Sequence, residues 1–596
     1  MNRIYLLLSR AKFAFFMLAG FASLVFTPVS FGQRKQTTKL PTDLARVLDL
    51  LSSSRSPLIL PVLYEEFEIS ETRLIFSGAQ LGGLPVGELS FDVLASEGDV
   101  VHLGNFNFPT YEDLQNELQG KVFTWDSSLD VYYNLASEAP EQINFHLGLG
   151  AITDSGDEFS FPGLSMSMTA RSEQRAMNLR IQSEAGQLNS MNDDFEFSLR
   201  IPEISYTFSE VGYPDDVHPF TGLRSQILAN WGGVGYDQIA EGLYSQSWPE
   251  SYDTSLDVAD LMLLIPGLDL NLSVGPSSLR AFGNNAIHER TSTSSFDYVT
   301  NDIELKIATE GFEILIGQIF SDGSLAKSNY NAFASAEKPD LDFISDWFLG
   351  SKRNAISSTE TADLARIIED IIGLLGLANF QYGASDISTA FLDTNSSLDQ
   401  LYFGFGWDFR NQGDVTASAE IGYSELSSSA VDSLDPGLQS LLVRDLDISF
   451  EVSQIDLDDF ITGLSEVEIH GDLPIENYFA QVGEAWWAQS EILINSSARF
   501  ITDVSILDIT ANFEVNPFSA LGITGTAVVG ISNFYDLQDE VSQLSLGPLG
   551  QQAASAAFAL GLISGFGELD ESGTMNLMLE VNQFGNISIN GLSLPL

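Results

Sequence analysis

The chain of 596 residues sets 82 acidic residues against 26 basic ones, for a formal charge of −56, and contains no cysteine. Thiol nucleophiles, disulfides, iron–sulfur clusters, cysteine-held zinc and a lipidated N-terminal cysteine are thereby excluded. The shortage of Lys and Arg argues against a nucleic-acid role, while 44% hydrophobic residues, 41 of them Phe, supply the apolar surface that a folded core needs.

Taken in order, residues 1–32 read as a secretory signal. Arg3, Arg10 and Lys12 precede the apolar run Phe13–Phe26, and Ser30 and Gly32 are small residues placed for cleavage after Gly32. The run is too short to span a bilayer by itself, although an uncleaved tether stays open. Thr42–Leu51 follows Pro41 and has helical spacing. Strands come next: Leu164, Met166 and Met168 alternate with polar residues, as do Phe195, Phe197, Leu199 and Ile201, then Ile204, Tyr206 and Phe208. A second helical pattern covers Phe220–Trp231. Ile303, Leu305 and Ile307 return to alternation, and the broadest helical stripe runs from Thr361 to Leu377 through Leu364, Ile367, Ile368, Ile371, Leu374 and Leu375. Leu446, Ile448, Phe450 and Val452 alternate again. Ala553–Ile563 reads as a buried helix rich in small residues. Leu577, Leu579 and Val581, a Gln-Phe-Gly-Asn turn, then Ile587 and Ile589 form a closing hairpin.

Many strands with few helices between them predict an α+β chain that is mainly β. Its sheets should be long, antiparallel and curved, with a few packing helices. Nearly 600 residues exceed one core. The expected divisions are a β-rich lobe over 33–210 with a leading helix, a helical connector and middle β region over 211–345, and a helix followed by a β-rich lobe over 346–596.

Signatures of chemistry are sparse. His102, His146, His218, His288 and His470 stand apart from one another, with no metal-ligand spacing between any two. No GxSxG elbow, Walker loop or complete GxGxxG occurs. Gly232–Ile239 (GGVGYDQI) fits one calcium-binding nonapeptide, but that motif works in tandem, and a Gly-rich helix end explains a single copy better. Paired carboxylates such as Asp193–Asp194, Asp215–Asp216, Asp154/Asp157/Glu158 and Asp456/Asp458/Asp459 are expected by chance among so many acids. Hard oxygen ligands for calcium abound without marking a site. Trp486–Trp487, between Glu484 and Glu491, is the candidate for sugar stacking, set against ordinary packing. The surplus of Phe over Tyr, 41 against 17, is read either as sheet packing or as an apolar groove.

The C-terminal order is familiar. From Leu507 it runs LDITANFEVNPFSALGITGTAVVGISNFYDLQDEV, then QQAASAAFALGLISGFGELDE, then SGTMNLMLEVNQFGNISINGLSLPL. It resembles the domain-of-unknown-function 2125 family of alphaproteobacterial exported proteins, whose C-terminal region closes with a small-residue helix and a hairpin ending in Asn-Gly. Asn590-Gly591-Leu592 matches that ending, and Ile448–Leu464 and 361–377 sit where the family has comparable elements. The likeness covers about the last 90 residues and its motifs are structural, so it carries over no activity and no site. A weaker, fold-level likeness is to AsmA-like envelope proteins linked to lipid transport.

These readings converge on an exported, periplasmic envelope protein without a cofactor. It would bind or scaffold an apolar ligand or a protein partner, and whether it is an enzyme stays open, with the balance against catalysis. A carbohydrate-active hydrolase with paired carboxylates and an outer-membrane β-barrel are the alternatives.

Overall fold

The computed structural model describes residues 62–593, apart from short gaps and the longer stretches 108–124, 221–248, 329–375 and 467–481. The signal-like segment, the 42–51 helix, nearly all of the 221–231 and 361–377 patterns, Gly232–Ile239, Asp193–Asp194, His288, His470 and Trp487 lie outside the described residues. The described residues are mainly antiparallel β structure with a few helices, as the alternation requires. They divide into two compact units, one holding residues up to Leu261 with Phe282–Asn285, the other most of the chain beyond Leu261.

In the first unit a meander runs through Arg73–Leu81, Leu84–Glu97, Val100–Asn107, Trp125–Asn134 and Ala139–Leu149. It continues through Leu164–Arg171, Ala176–Ser183, Ile204–Val211 and Ser251–Val258. Alternation sends one residue in two inward. Leu74, Phe76, Leu89, Phe91, Leu103, Val131, Tyr133 and Met177 are all at most 1% exposed. Ring packing locks this interior: Phe76 stacks on Phe91 at 5.6 Å, and Phe91 on Phe106 at 4.7 Å. Phe195–Ile201 and Ile204–Val211 form the strands that their alternation predicts.

The other face of that sheet is a ladder of polar and charged side chains. Asp130, Asn144, Ser167, Arg180, Thr207 and Ser255 stand opposite one another across successive strands. Ser167 donates to Asn144 Oδ1 at 3.0 Å, and the Thr207 and Ser255 hydroxyls lie 2.7 Å apart. Cross-strand bonding of short polar side chains is what stabilises a wet sheet face.

In the second unit one unbroken antiparallel series joins Thr291–Ile307, Phe312–Ser328, Leu377–Phe391, Thr394–Asp408 and Val415–Ser424. The same ladder proceeds through Asp445–Ile455, Leu493–Ile501, Ile506–Val515, Ile523–Ile531 and Met575–Val581. Met575–Val581 then turns back on Ile587–Ile589, the predicted closing hairpin. Leu377, assigned by periodicity to a helix end, instead opens a strand. Gly376 just before it adopts a left-handed φ of 52°, the conformation in which glycine can reverse the chain.

Two helices cover the far end of this series. Phe534–Leu544 presents Phe534, Leu537 and Val541 at helical spacing and packs its apolar side with Ile531 and Met575. Gly550–Phe566 contributes Leu560 and Ile563 to the same cluster. The second of these overturns the expectation of a buried helix. Only Ala553 is buried, whereas Phe558 is 69% and Leu562 49% exposed. Apolar residues surround this helix on all sides, so docking one side leaves the remainder wet.

Candidate binding surface

Register decides what each face of the second sheet presents. Directly opposed residues in an antiparallel pair share a face, and parity carries that face along the strand. One row reads Phe296, Gly323, Phe380, Phe405, Ala419, Phe450. The next reads Tyr298, Ser321, Tyr382, Phe403, Ile421, Ile448, Ala498, Ile509, Val529, Leu577. Its neighbour holds Ala384, Leu401, Tyr423, Leu446, Phe500, Leu507, Ile531 and Met575. This face is apolar from strand to strand. The opposite face carries Gln381, Glu420, Ser449, Ser497 and Thr510.

Coverage differs along the apolar face. Where the two helices lie, Ile531, Met575 and Leu577 are 4%, 2% and 7% exposed. Farther back, Tyr382, Leu401, Phe403, Ile421 and Phe450 are 39%, 42%, 45%, 46% and 45% exposed. These five come from four adjoining strands and form one apolar plate. Contiguous exposed apolar surface of this kind marks interaction sites, unlike scattered single residues.

The plate is ordered by its own rings. Phe405 lies 5.0 Å from Phe380, 5.8 Å from Phe403 and 5.9 Å from Trp407, with Tyr382 stacked at 6.0 Å. Gly323 makes room for the edge of the plate. A Cβ there would come within 2.5 Å of Phe296 and 2.6 Å of Phe380, whose rings meet across it at 6.0 Å. On the polar face the same device recurs, with Tyr402 lying over Gly422 and Phe320 over Gly383. Burial and the nearby Asp447 and Glu420 carboxylates push the Tyr402 hydroxyl up from its ordinary value.

The apolar rows also change parity together. Phe380, Tyr382 and Ala384 hold even positions, whereas Ile387 and Phe391 hold odd ones; Phe296 and Tyr298 give way likewise to Ile303, Leu305 and Ile307. The change coincides with left-handed backbone at Asp386 (φ 52°) and Asp302 (φ 50°). Asp tolerates that conformation better than most residues do. Past this row lies a shallow recess lined by Glu313, Leu315, Ser388, Asn395, Ser397 and Ser427, where the Glu313 carboxylate accepts from Lys306 Nζ at 3.3 Å.

Among the described residues, those singled out from sequence do not assemble into a catalytic site. His102 stacks on Tyr132 at 4.2 Å and places Nε2 3.0 Å from Asp130 Oδ1. His146 Nδ1 lies 3.0 Å from Ser165 Oγ on the exposed polar ladder. His218 accepts from the Phe220 amide through Nδ1, and burial lowers its pKa while Glu141 opposes more weakly. Asp215 pairs with Arg175 at 3.4 Å. Asp456 Oδ1 accepts from the Asp459 amide at 3.0 Å, capping the helix Leu457–Glu466. Trp486 packs edge-on against Phe460 at 5.7 Å and donates its indole N–H to the Asp456 carbonyl, so its ring is engaged in packing. Among the described residues no cluster of His, Asp and Glu could hold a metal ion, and no helix is long and apolar enough to cross a membrane.

Compared with known proteins, the chain matches no family model and no curated sequence. The plate was hidden from sequence reading because each strand alone shows only alternation. The order of strands and their coverage had to be known before the exposed rings could be joined.

Proposed function

We propose that this is an exported, periplasmic envelope protein that binds an elongated apolar ligand along the sheet of its second unit. Its role in this reading is carriage or scaffolding without catalysis. The single observation that supports it is the apolar plate of Tyr382, Leu401, Phe403, Ile421 and Phe450, each more than a third exposed on adjoining strands. An extended acyl chain laid across such rows would remove that surface from water, at roughly 25 cal/mol per Å². The charge of −56 favours a ligand whose head group is neutral or zwitterionic. Export follows from the reading of residues 1–32, and the resemblance to the domain-of-unknown-function 2125 family belongs to the same reading.

The test is binding of a fluorescent phosphatidylcholine by the purified chain, compared with a Phe403→Asp/Ile421→Asp variant. The expected result is saturable binding that the variant loses by at least about tenfold, since charges then occupy the centre of the plate. No saturable binding by the unaltered protein, or equal binding by the variant, rejects this reading.

A further inference from the structure

The strongest unassigned feature lies in two turns at the strand ends opposite the helices Phe534–Leu544 and Gly550–Phe566. Residues 516–522 (NPFSALG) join Ile506–Val515 to Ile523–Ile531, and residues 582–586 (NQFGN) join Met575–Val581 to Ile587–Ile589. Both are built alike. Asn516 Oδ1 accepts from the Phe518 amide at 3.0 Å, and Asn582 Oδ1 accepts from the Phe584 amide at 2.9 Å. Each asparagine thus turns the chain so that a phenylalanine two residues on stands at the tip.

Backbone bonds brace both turns. The Asn516 amide donates to the Gly522 carbonyl at 2.9 Å, and the Asn582 amide to the Asn586 carbonyl at 3.1 Å. The two also touch: Gly585, at φ 77°, lies so close against Ala520 and Leu521 that a Cβ would come within 2.8 Å of Ala520. Adjacent and braced, they hold Phe518 84% exposed, Phe584 68% and Leu521 48%. In a chain with 82 acidic residues, neither turn contains a charge.

We propose that these turns dip into the surface of a zwitterionic lipid bilayer. Projecting rings need a medium that closes around them, and a bilayer supplies it without a preformed socket. The Asn, Gln and Ser side chains beside the rings suit the hydrated head-group layer, where apolar groups of peripheral proteins lodge. The charge of −56 selects against anionic lipid and for a neutral surface. This inference rests on the turns alone and stands or falls separately from ligand binding on the plate.

Because the chain lacks cysteine, one introduced thiol reports locally. The full chain carrying Phe584→Cys, labelled with an environment-sensitive nitrobenzoxadiazole dye, is mixed with phosphatidylcholine vesicles. A Ser497→Cys label on the polar face serves as the control. The dye at position 584 is expected to brighten and shift to the blue while that at 497 does not. Adding Phe518→Ala should weaken the apparent vesicle affinity about tenfold, and added anionic lipid should weaken it at low salt. Phe13–Phe26 is common to all variants, so vesicle attachment through the N-terminus alone leaves the dye at 584 silent and overturns the proposal. An equal response at 497 does so too, as does a response to a soluble protein fraction but not to vesicles.

Discussion

The two units use the same residues in the same alternating pattern and dispose of them differently. In the first, Phe76 and Phe91 are fully buried with rings 5.6 Å apart. In the second, Phe403 and Phe405 sit at a similar 5.8 Å, yet Phe403 is 45% exposed. Ring spacing is set within the sheet, by register and pleat, whereas burial is set by what lies on top. Alternation therefore specifies a face without saying whether that face is a core or a surface.

The largest expected effect comes from setting the two kinds of phenylalanine against each other. Phe91→Ala should cost about 3–5 kcal/mol, the range for emptying an aromatic site in a closed core. Phe403→Ala should cost about 1 kcal/mol or less, because nearly half of the ring is already in water. Denaturant unfolding of each variant measures both. Equal losses would mean that the plate is covered in solution, removing the distinction between the units.

A sheet with one open face depends more on its backbone, and Gly525 probes that. It holds φ 142°, and an added Cβ would fall 2.1 Å from the Asn512 carbonyl oxygen and 2.8 Å from the Phe513 Cα. Backbone atoms of a paired strand cannot step aside as a side-chain tip can. Gly525→Ala should therefore destabilise the second unit by about 1–3 kcal/mol. Thermal unfolding reads this out, and a neutral result would show that the strand pair Ile506–Val515 and Ile523–Ile531 yields easily.

How much of this was legible beforehand depends on the same distinction. The strands around Leu164, Phe195, Ile204, Leu446 and Leu577 could be read one by one, because period two is a local property. The mainly β, antiparallel class followed from their number. The exposure of Gly550–Phe566 was not legible: an uncharged helix reads as buried whether or not anything covers it. The plate was equally hidden, since it joins residues from Tyr382 to Phe450 that only register brings onto one face. The phenylalanine surplus left ordinary sheet packing and an apolar groove both open. The Asn-x-Phe repeat at 516–518 and 582–584 was visible as letters, but its meaning needed the packing of Gly585 against Ala520.

A smaller effect tests how the second unit begins one of its helices. Asp456 accepts from the Asp459 amide and also supplies the carbonyl that receives the Trp486 indole N–H. Asp456→Ala removes the cap and keeps the carbonyl, so the expected loss is about 1 kcal/mol. Asp456→Asn should recover most of it, because Asn caps about as well as Asp. Failure of Asn to rescue would shift the weight from the cap to the negative charge at the helix start.

The smallest effect belongs to the closed unit and has a definite sign with pH. His218 lies in a desolvated position, with Nε2 buried and unpaired and Nδ1 accepting from the Phe220 amide at 3.3 Å. Burial lowers its folded pKa below the ordinary 6.5, and the Glu141 carboxylate offsets only part of this. The unfolded chain then binds the proton more readily than the folded one. The stability attached to neutral His218 is complete above 6.5 and is lost as pH falls through the lowered folded value. One such group can change the unfolding free energy by no more than about 1.4 kcal/mol per pH unit. Unfolding of the unaltered protein and His218→Asn should be compared between about pH 7 and pH 5, above most carboxylate titration. The unaltered protein should lose more stability on acidification than the variant. The opposite order would mean that Glu141 dominates and that the imidazole is favoured as a cation, which would make this corner of the closed core an ion pair.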